Sequence, residues 1–122
     1  MLFRSVAANN LAWLHVTRND NLDAAMKLAE SASREMPKQP EFLDTLGWIY
    51  YKKQQSTLAI GALQKAVDLD PRNATYHYHL GMTYAMEGSD PKARRELQLT
   101  LKLDPGFSEA AEVNKALSKL VY

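Results

Sequence analysis

Cysteine is absent from the 122 residues, which excludes a disulfide framework, a thiolate nucleophile and any Cys-ligated zinc or iron-sulfur centre. Glycine and proline are scarce, at five each, too few for a flexible linker or a disordered tail. An excess of charge is missing too. Fifteen Lys and Arg stand against fourteen Asp and Glu, a net +1, so there is no field to hold a phosphate backbone or an anionic bilayer, and nucleic acid is not an expected partner. Long apolar runs do not occur. The uncharged stretches from Leu46 to Tyr51 and Asn73 to Met86 are too short or too polar for the roughly 20 apolar residues that span a bilayer. Met1-Leu2-Phe3-Arg4 lacks a basic segment ahead of an apolar one, and Leu11-Ala12-Trp13-Leu14 is interrupted by His15, so no signal peptide is expected. The compartment stays open between the cytoplasm and, for a piece of an exported protein, the periplasm. What is present, 46% hydrophobic and 24% charged residues, is the composition of one small folded domain.

Sliding the chain along itself gives one dominant match, at a shift of 34 residues. Leu46-Gly47 recurs as Leu80-Gly81, Tyr50 as Tyr84, Ala59 as Ala93, Leu63 as Leu97, and Leu69-Asp70-Pro71 as Leu103-Asp104-Pro105. Upstream the match is looser. Ala25 and Pro37 keep the 34-residue offset from Ala59 and Pro71, whereas Leu11-Ala12 lies 35 before Leu46-Gly47. One residue is therefore inserted in the polar, turn-forming stretch from Thr17 to Asn21.

Within each unit the period is helical. Leu43, Leu46, Gly47 and Tyr50 draw one stripe on a 3.6-residue helix, and Ala59, Leu63, Ala66 and Val67 draw another. Pro40, Pro91 and the Asp-Pro pairs at Asp70 and Asp104 punctuate the helices, with Ser56, Asn73 and Asp90 as expected N-caps. Gly47, Gly81 and Ala12 fall where the two helices of a unit would approach, and Ala25, Ala59 and Ala93 where the second helix meets its neighbours. Such pairs are stabilised by stacking, and the array needs an end with a polar outer side. Residues 107–122 supply it: Ala110, Ala111, Val113, Ala116, Leu117 and Leu120 form a stripe, opposed by Glu109, Glu112, Lys115 and Lys119.

These residues resemble the tetratricopeptide-repeat (TPR) pattern, in Leu46-Gly47, Tyr50, Ala59, Leu63, Ala66 and Pro71, then Leu80-Gly81, Tyr84, Gly88, Ala93, Leu97 and Pro105. The resemblance implies an all-α fold: an α-solenoid of three TPR helix pairs plus a C-terminal capping helix. A degenerate first repeat would occupy about residues 2–39, a second 40–73, a third 74–106 and the cap 107–122. First helices would line a concave groove. Leu43 and His77 stand where the pattern favours Trp, and Thr100 where it favours Ala. A looser resemblance, in Asn9 to Leu14 and Leu43 to Lys53, is to repeat-rich bacterial lipoproteins of exopolysaccharide and exosortase loci.

Helical geometry separates a second face on each first helix. Glu41, Asp44, Thr45, Trp48, Tyr51 and Lys52 lie within about 60° of Trp48, opposite Leu43, Leu46 and Tyr50. The repeat carries this face to Thr75, Tyr78, His79, Met82, Ala85 and Met86, and back to Asn9, Asn10, Trp13, Val16 and Thr17. Trp13, Trp48 and Met82 are its central line, large soft side chains that a solvated face does not need. They read either as ligand-facing or as packing between adjacent first helices; Tyr51 and Tyr78 are equally open. The groove would comprise Asn9, Asn10, Trp13, Asp44, Thr45, Trp48, Tyr51, Lys52, Tyr78, His79, Met82 and Met86. The resemblance also implies a known ligand mode, a C-terminal carboxylate clamped by Lys, Asn and Arg. Those positions here hold Asn9, Asn10, Asp44, Thr45, Tyr78 and His79, so acidic chaperone-type tails are not expected.

Chemistry is not in view. His77 and His79 are two residues apart on a helix, about 200° around, and cannot grip one ion; no metal or cofactor is expected. HExxH, GxSxG and GxxxxGK are all missing, and no catalytic residue is assigned. Lys92, Arg94, Arg95 and Lys102 read as a solvated convex face. The expectation is a non-enzymatic module that binds a peptide segment of a partner protein in an aromatic, Met-lined groove. The alternative is structural: an end slice of a longer solenoid, or a scaffold self-associating through its first helix, Leu2 to Val16.

Overall fold

The computed structural model describes residues 2–121. Met1, and Tyr122 at the end of the expected capping segment, lie outside the described residues. These form seven helices: α1 (Leu2–Arg18), α2 (Leu22–Glu35), α3 (Pro40–Lys52), α4 (Ser56–Leu69), α5 (Ala74–Glu87), α6 (Asp90–Leu103) and α7 (Ala110–Lys119). Successive helices pack as antiparallel pairs, and α1, α3, α5 and α7 also touch in series. The chain is an all-α solenoid.

Local chemistry sets the boundaries. Proline opens α3 at its first position, where no N–H is needed. The Asn73 side chain caps α5 by accepting from the Tyr76 N–H. Ser56 and Asp90 sit one residue inside their helices; Gln55 and Ser89 are the capping positions. Each pair turns through a left-handed residue: Asn19 (φ 52), Gln54 (φ 61) and Gly88 (φ 87).

These turns locate the inserted residue. In the second pair the Gln55 N–H closes on the Tyr50 carbonyl, and the Gln55 carbonyl accepts from Ala59 N–H to start α4. Ser89 performs both tasks in the third pair, between Tyr84 and Ala93. In the first pair they are divided: Asp20 N–H closes on His15, and Asn21 accepts from Ala25. Thr17 and Arg18 remain helical.

The core runs in three linked clusters. Ala12, Val16, Ala25 and Ala29 receive Leu46 and Ile49 from the next unit. Leu43, Ala59, Leu63, Ala66 and Val67 receive Tyr76 and Leu80. Tyr78 and Leu97 are covered by Phe107 and Val113. Close approach needs the glycines: a Cβ on Gly47 would stand 2.5 Å from Leu63 Cγ, and one on Gly81 2.8 Å from Leu97. The end piece buries Val113 and Phe107, whereas Ala111, expected in its apolar stripe, is exposed. Ala111 follows Ala110 by 100°, which carries it past the seam.

Candidate functional site: the face of the first helices

Along α1, α3 and α5 the second face forms three hollows. The first, about 220 Å³, is lined by Asn9, Asn10, Trp13, Glu41, Asp44, Thr45, Thr75 and Tyr76. A central one of about 350 Å³ shares Trp13 and Thr75 and adds Thr17, Trp48, Lys52, Tyr78, His79, Ser108 and Glu109. The third, about 490 Å³, lies between α5 and α7, with Tyr51, Met82, Ala85 and Met86 facing Glu112, Lys115, Ala116, Lys119 and Leu120. Trp13, Trp48 and Met82 therefore do not line one trough. A ladder of rings divides it.

Trp48 is the middle rung. Tyr51 stacks on it at 4.3 Å with planes 4° apart, and His79 at 4.0 Å and 22°. Rings stacked flat at these distances occupy the two faces of the indole. Trp13 leans on His79 at 6.0 Å, and Tyr78 fills the angle between Trp48 and Phe107. Lys52 Nζ stands 5.4 Å from the Trp48 ring.

Five expected groove residues, Asn9, Asp44, Thr45, Tyr78 and His79, are buried. Trp13, Trp48, Tyr51 and Met82 are half-buried, and Asn10, Lys52 and Met86 are exposed. Thr45 turns its hydroxyl back to the Glu41 carbonyl. His79 donates through Nδ1 to Asp44 Oδ1 at 2.7 Å, which fixes the ring and ties α3 to α5. The other ring nitrogen, Nε2, has no protein hydrogen-bond partner among the described residues. Asn9 Oδ1 is likewise buried without a partner. Burial, helped by Glu109 and Glu112, pushes the Tyr78 phenol up to about 12, so it remains a neutral wall.

His77, one residue from Tyr78 but turned away, serves the other side of α5. Nδ1 meets Glu96 Oε1 at 2.6 Å and Nε2 meets the Pro71 carbonyl at 2.7 Å. Two acceptors require two donated protons. The Glu96 carboxylate, then the Pro71 carbonyl, raise its pKa against the opposing effect of burial.

Sequence reasoning missed the contribution of the last helix. Ser108 and Glu109, just before α7, wall the central hollow and Glu112, Lys115 and Lys119 the third, because α7 packs on α5 as well as α6. Its charged positions were legible, but their direction depends on how the Phe107 anchor sets the helix.

Stacked antiparallel pairs with first helices in series define an α-solenoid repeat protein. A family model described as TPR repeat matches residues 47–88, so that stretch of the chain carries tetratricopeptide repeats. It is 31% identical over 96 residues to a probable UDP-N-acetylglucosamine–peptide N-acetylglucosaminyltransferase SPINDLY from Solanum lycopersicum, covering 79% of this chain and 10% of that protein. The chain thus spans about a tenth of the length of that relative. Two solved structures share the fold: the TPR2B domain of yeast Sti1 in a pHsp70 complex (TM-score 0.85, 16% identity, 96% of this chain and 95% of that one), and the first TPR of Spaghetti (RPAP3) bound to the HSP90 peptide SRMEEVD (TM-score 0.81, 15% identity, 95% and 94%). No described helix is long and apolar enough to cross a membrane.

Proposed function

We propose that this chain is a non-enzymatic interaction module whose first-helix face holds a segment of a partner protein. The observation that carries the reading is the third hollow. There Met82, Met86 and Leu120 offer apolar surface that neighbouring helices leave open, rimmed by Lys115, Lys119, Asp90 and Glu112. An apolar side chain of the partner enters it, and flexible Met side chains adapt to its shape. At the other end of the face the exposed Asn10 borders the first hollow, where its amide both donates to and accepts from the backbone of the same segment. The peptide seated on the RPAP3 domain supports this use of the fold.

Trp48 has a different part. Its two ring faces are taken by Tyr51 and His79, so it sets the spacing of α3 and α5 and offers a partner only its edge. On this proposal packing accounts for the centre of the face and recognition for its two ends. Affinity capture tests the proposal with wild type against Met82→Glu plus Met86→Glu. A partner lost by the double variant and retained by Leu58→Glu, an exposed change on α4, supports it. A partner retained by all three overturns it.

A further inference from the structure

The side of α3 turned away from the first-helix face borders a hollow of about 510 Å³ between α2, α3 and α4. Its floor is apolar, made by Pro37, Leu43 and Leu46. Its rim carries Arg34 from α2 and Lys65 from α4, and neither has an ion-pair partner among the described residues. Glu30, the acid of the lining, accepts from the Tyr50 hydroxyl at 3.4 Å. Ser33 Oγ is buried in the same wall without a hydrogen-bond partner, a state that native folds rarely leave unexplained.

Repetition does not call for this arrangement. Shifted by 34 residues, Ser33 becomes Val67, Arg34 becomes Asp68 and Lys65 becomes Leu99, while Leu43 becomes His77, tied to Glu96 and the Pro71 carbonyl. The next seam thus holds a larger apolar side chain, a bonded imidazole and no cation at either rim position. Between α2 and α4 the seam keeps the small hydroxyl, both cations and an open floor, and all its walls come from helices inside the array.

We infer that this hollow binds a small organic carboxylate with an apolar body. This goes beyond the first-helix face and does not depend on it. The volume falls within the roughly 300–1,000 Å³ of small-ligand pockets. The apolar body lies on Pro37, Leu43 and Leu46, and the carboxylate sits between Lys65 and Arg34, whose guanidinium offers paired donors. Ser33 turns about χ1, between staggered positions, to donate to it. Two cations against one carboxylate give the lining a positive balance, which favours an anion over a neutral or cationic ligand. A peptide backbone would set N–H and carbonyl groups unpaired against the apolar floor.

Octanoate is the probe, with octanol and octylammonium as neutral and cationic controls of the same length. In an NMR titration to about 10 mM, octanoate is expected to bind with a Kd of about 1 mM or tighter, and either control at least about tenfold more weakly. Shifts are expected to centre on Ser33, Leu43, Leu46 and Lys65. Ser33→Val installs the side chain of the next unit, and Lys65→Glu reverses an exposed charge. Each is expected to keep the remaining spectrum and to weaken octanoate at least about tenfold. No binding, octanol bound as well as octanoate, shifts centred on Met82 and Met86, or an affinity unchanged in either folded variant overturns the inference.

Discussion

Individual residues carry opposite instructions although their letters are the same. Gly47 and Gly61 both lie inside helices, but a methyl group at Gly47 meets Leu63 and one at Gly61 meets nothing within 4 Å. Gly47→Ala is expected to cost about 1–3 kcal/mol by overpacking, and Gly61→Ala to add about 0.5–1 kcal/mol by restricting the unfolded chain. Urea midpoints of the two variants check this, and a shared sign contradicts it. The repeat made Gly47 and Gly81 legible as packing positions in the sequence, since both recur at one register; Gly61 has no counterpart. His77 was legible only as an oddity. Its partners Glu96 and Pro71 come from another helix and a preceding turn, and no periodicity reports them. Its folded pKa lies above the ordinary 6.5, so its stabilisation is complete below that value and is lost as pH rises through the folded pKa. The stability difference between wild type and His77→Gln is therefore expected to be larger at pH 5.5 than at pH 9 in urea unfolding. A difference independent of pH contradicts the assignment.

At the scale of elements, the inserted residue shows how far the sequence could be followed. The change of offset from 35 to 34 places it between Ala12 and Ala25, and the turn-forming stretch from Thr17 to Asn21 says it lies in a loop. That it divides the double task of Gln55 between Asp20 and Asn21 depends on hydrogen bonds that no offset displays. The same turn predicts a stabilising change. Gln54 is held at φ 61 where the third unit uses Gly88, a conformation that costs a side-chain-bearing residue about 1–2 kcal/mol. Gln54→Gly is expected to raise the thermal midpoint by a few degrees, the net of relieved strain and added chain entropy; an unchanged or lower midpoint in calorimetry contradicts it. α7 was legible as a helix and as an end piece. Its second contact, on α5, was not, and Glu109, Glu112 and Lys115 thereby moved from a solvated surface to the rim of the face.

Across the whole molecule the solenoid follows from repetition, and the binding face depends on where repetition fails. Core positions recur because every unit meets its neighbour in one geometry, so the fold could be read from three imperfect copies. The face varies at each register, Trp13, Trp48 and Met82, and side-chain stacking, not register, decides what each one does. Its charge also departs from a carboxylate clamp: Glu41 and Asp44 line the first hollow without a Lys or Arg beside them. The peptide SRMEEVD is therefore expected to show no heat of binding in calorimetric titration up to about 1 mM, well past the micromolar affinities of specific peptide sites. Saturable binding would contradict this reading of the charge. The most direct measurement for recognition at the first-helix face is selection from a displayed peptide library, with the Met82→Glu plus Met86→Glu variant run in parallel. The account predicts enriched peptides that share an apolar anchor, need no free carboxylate terminus and fail to bind the variant. Enriched peptides that bind the variant equally well, or no enrichment over an unrelated helical protein, would contradict it.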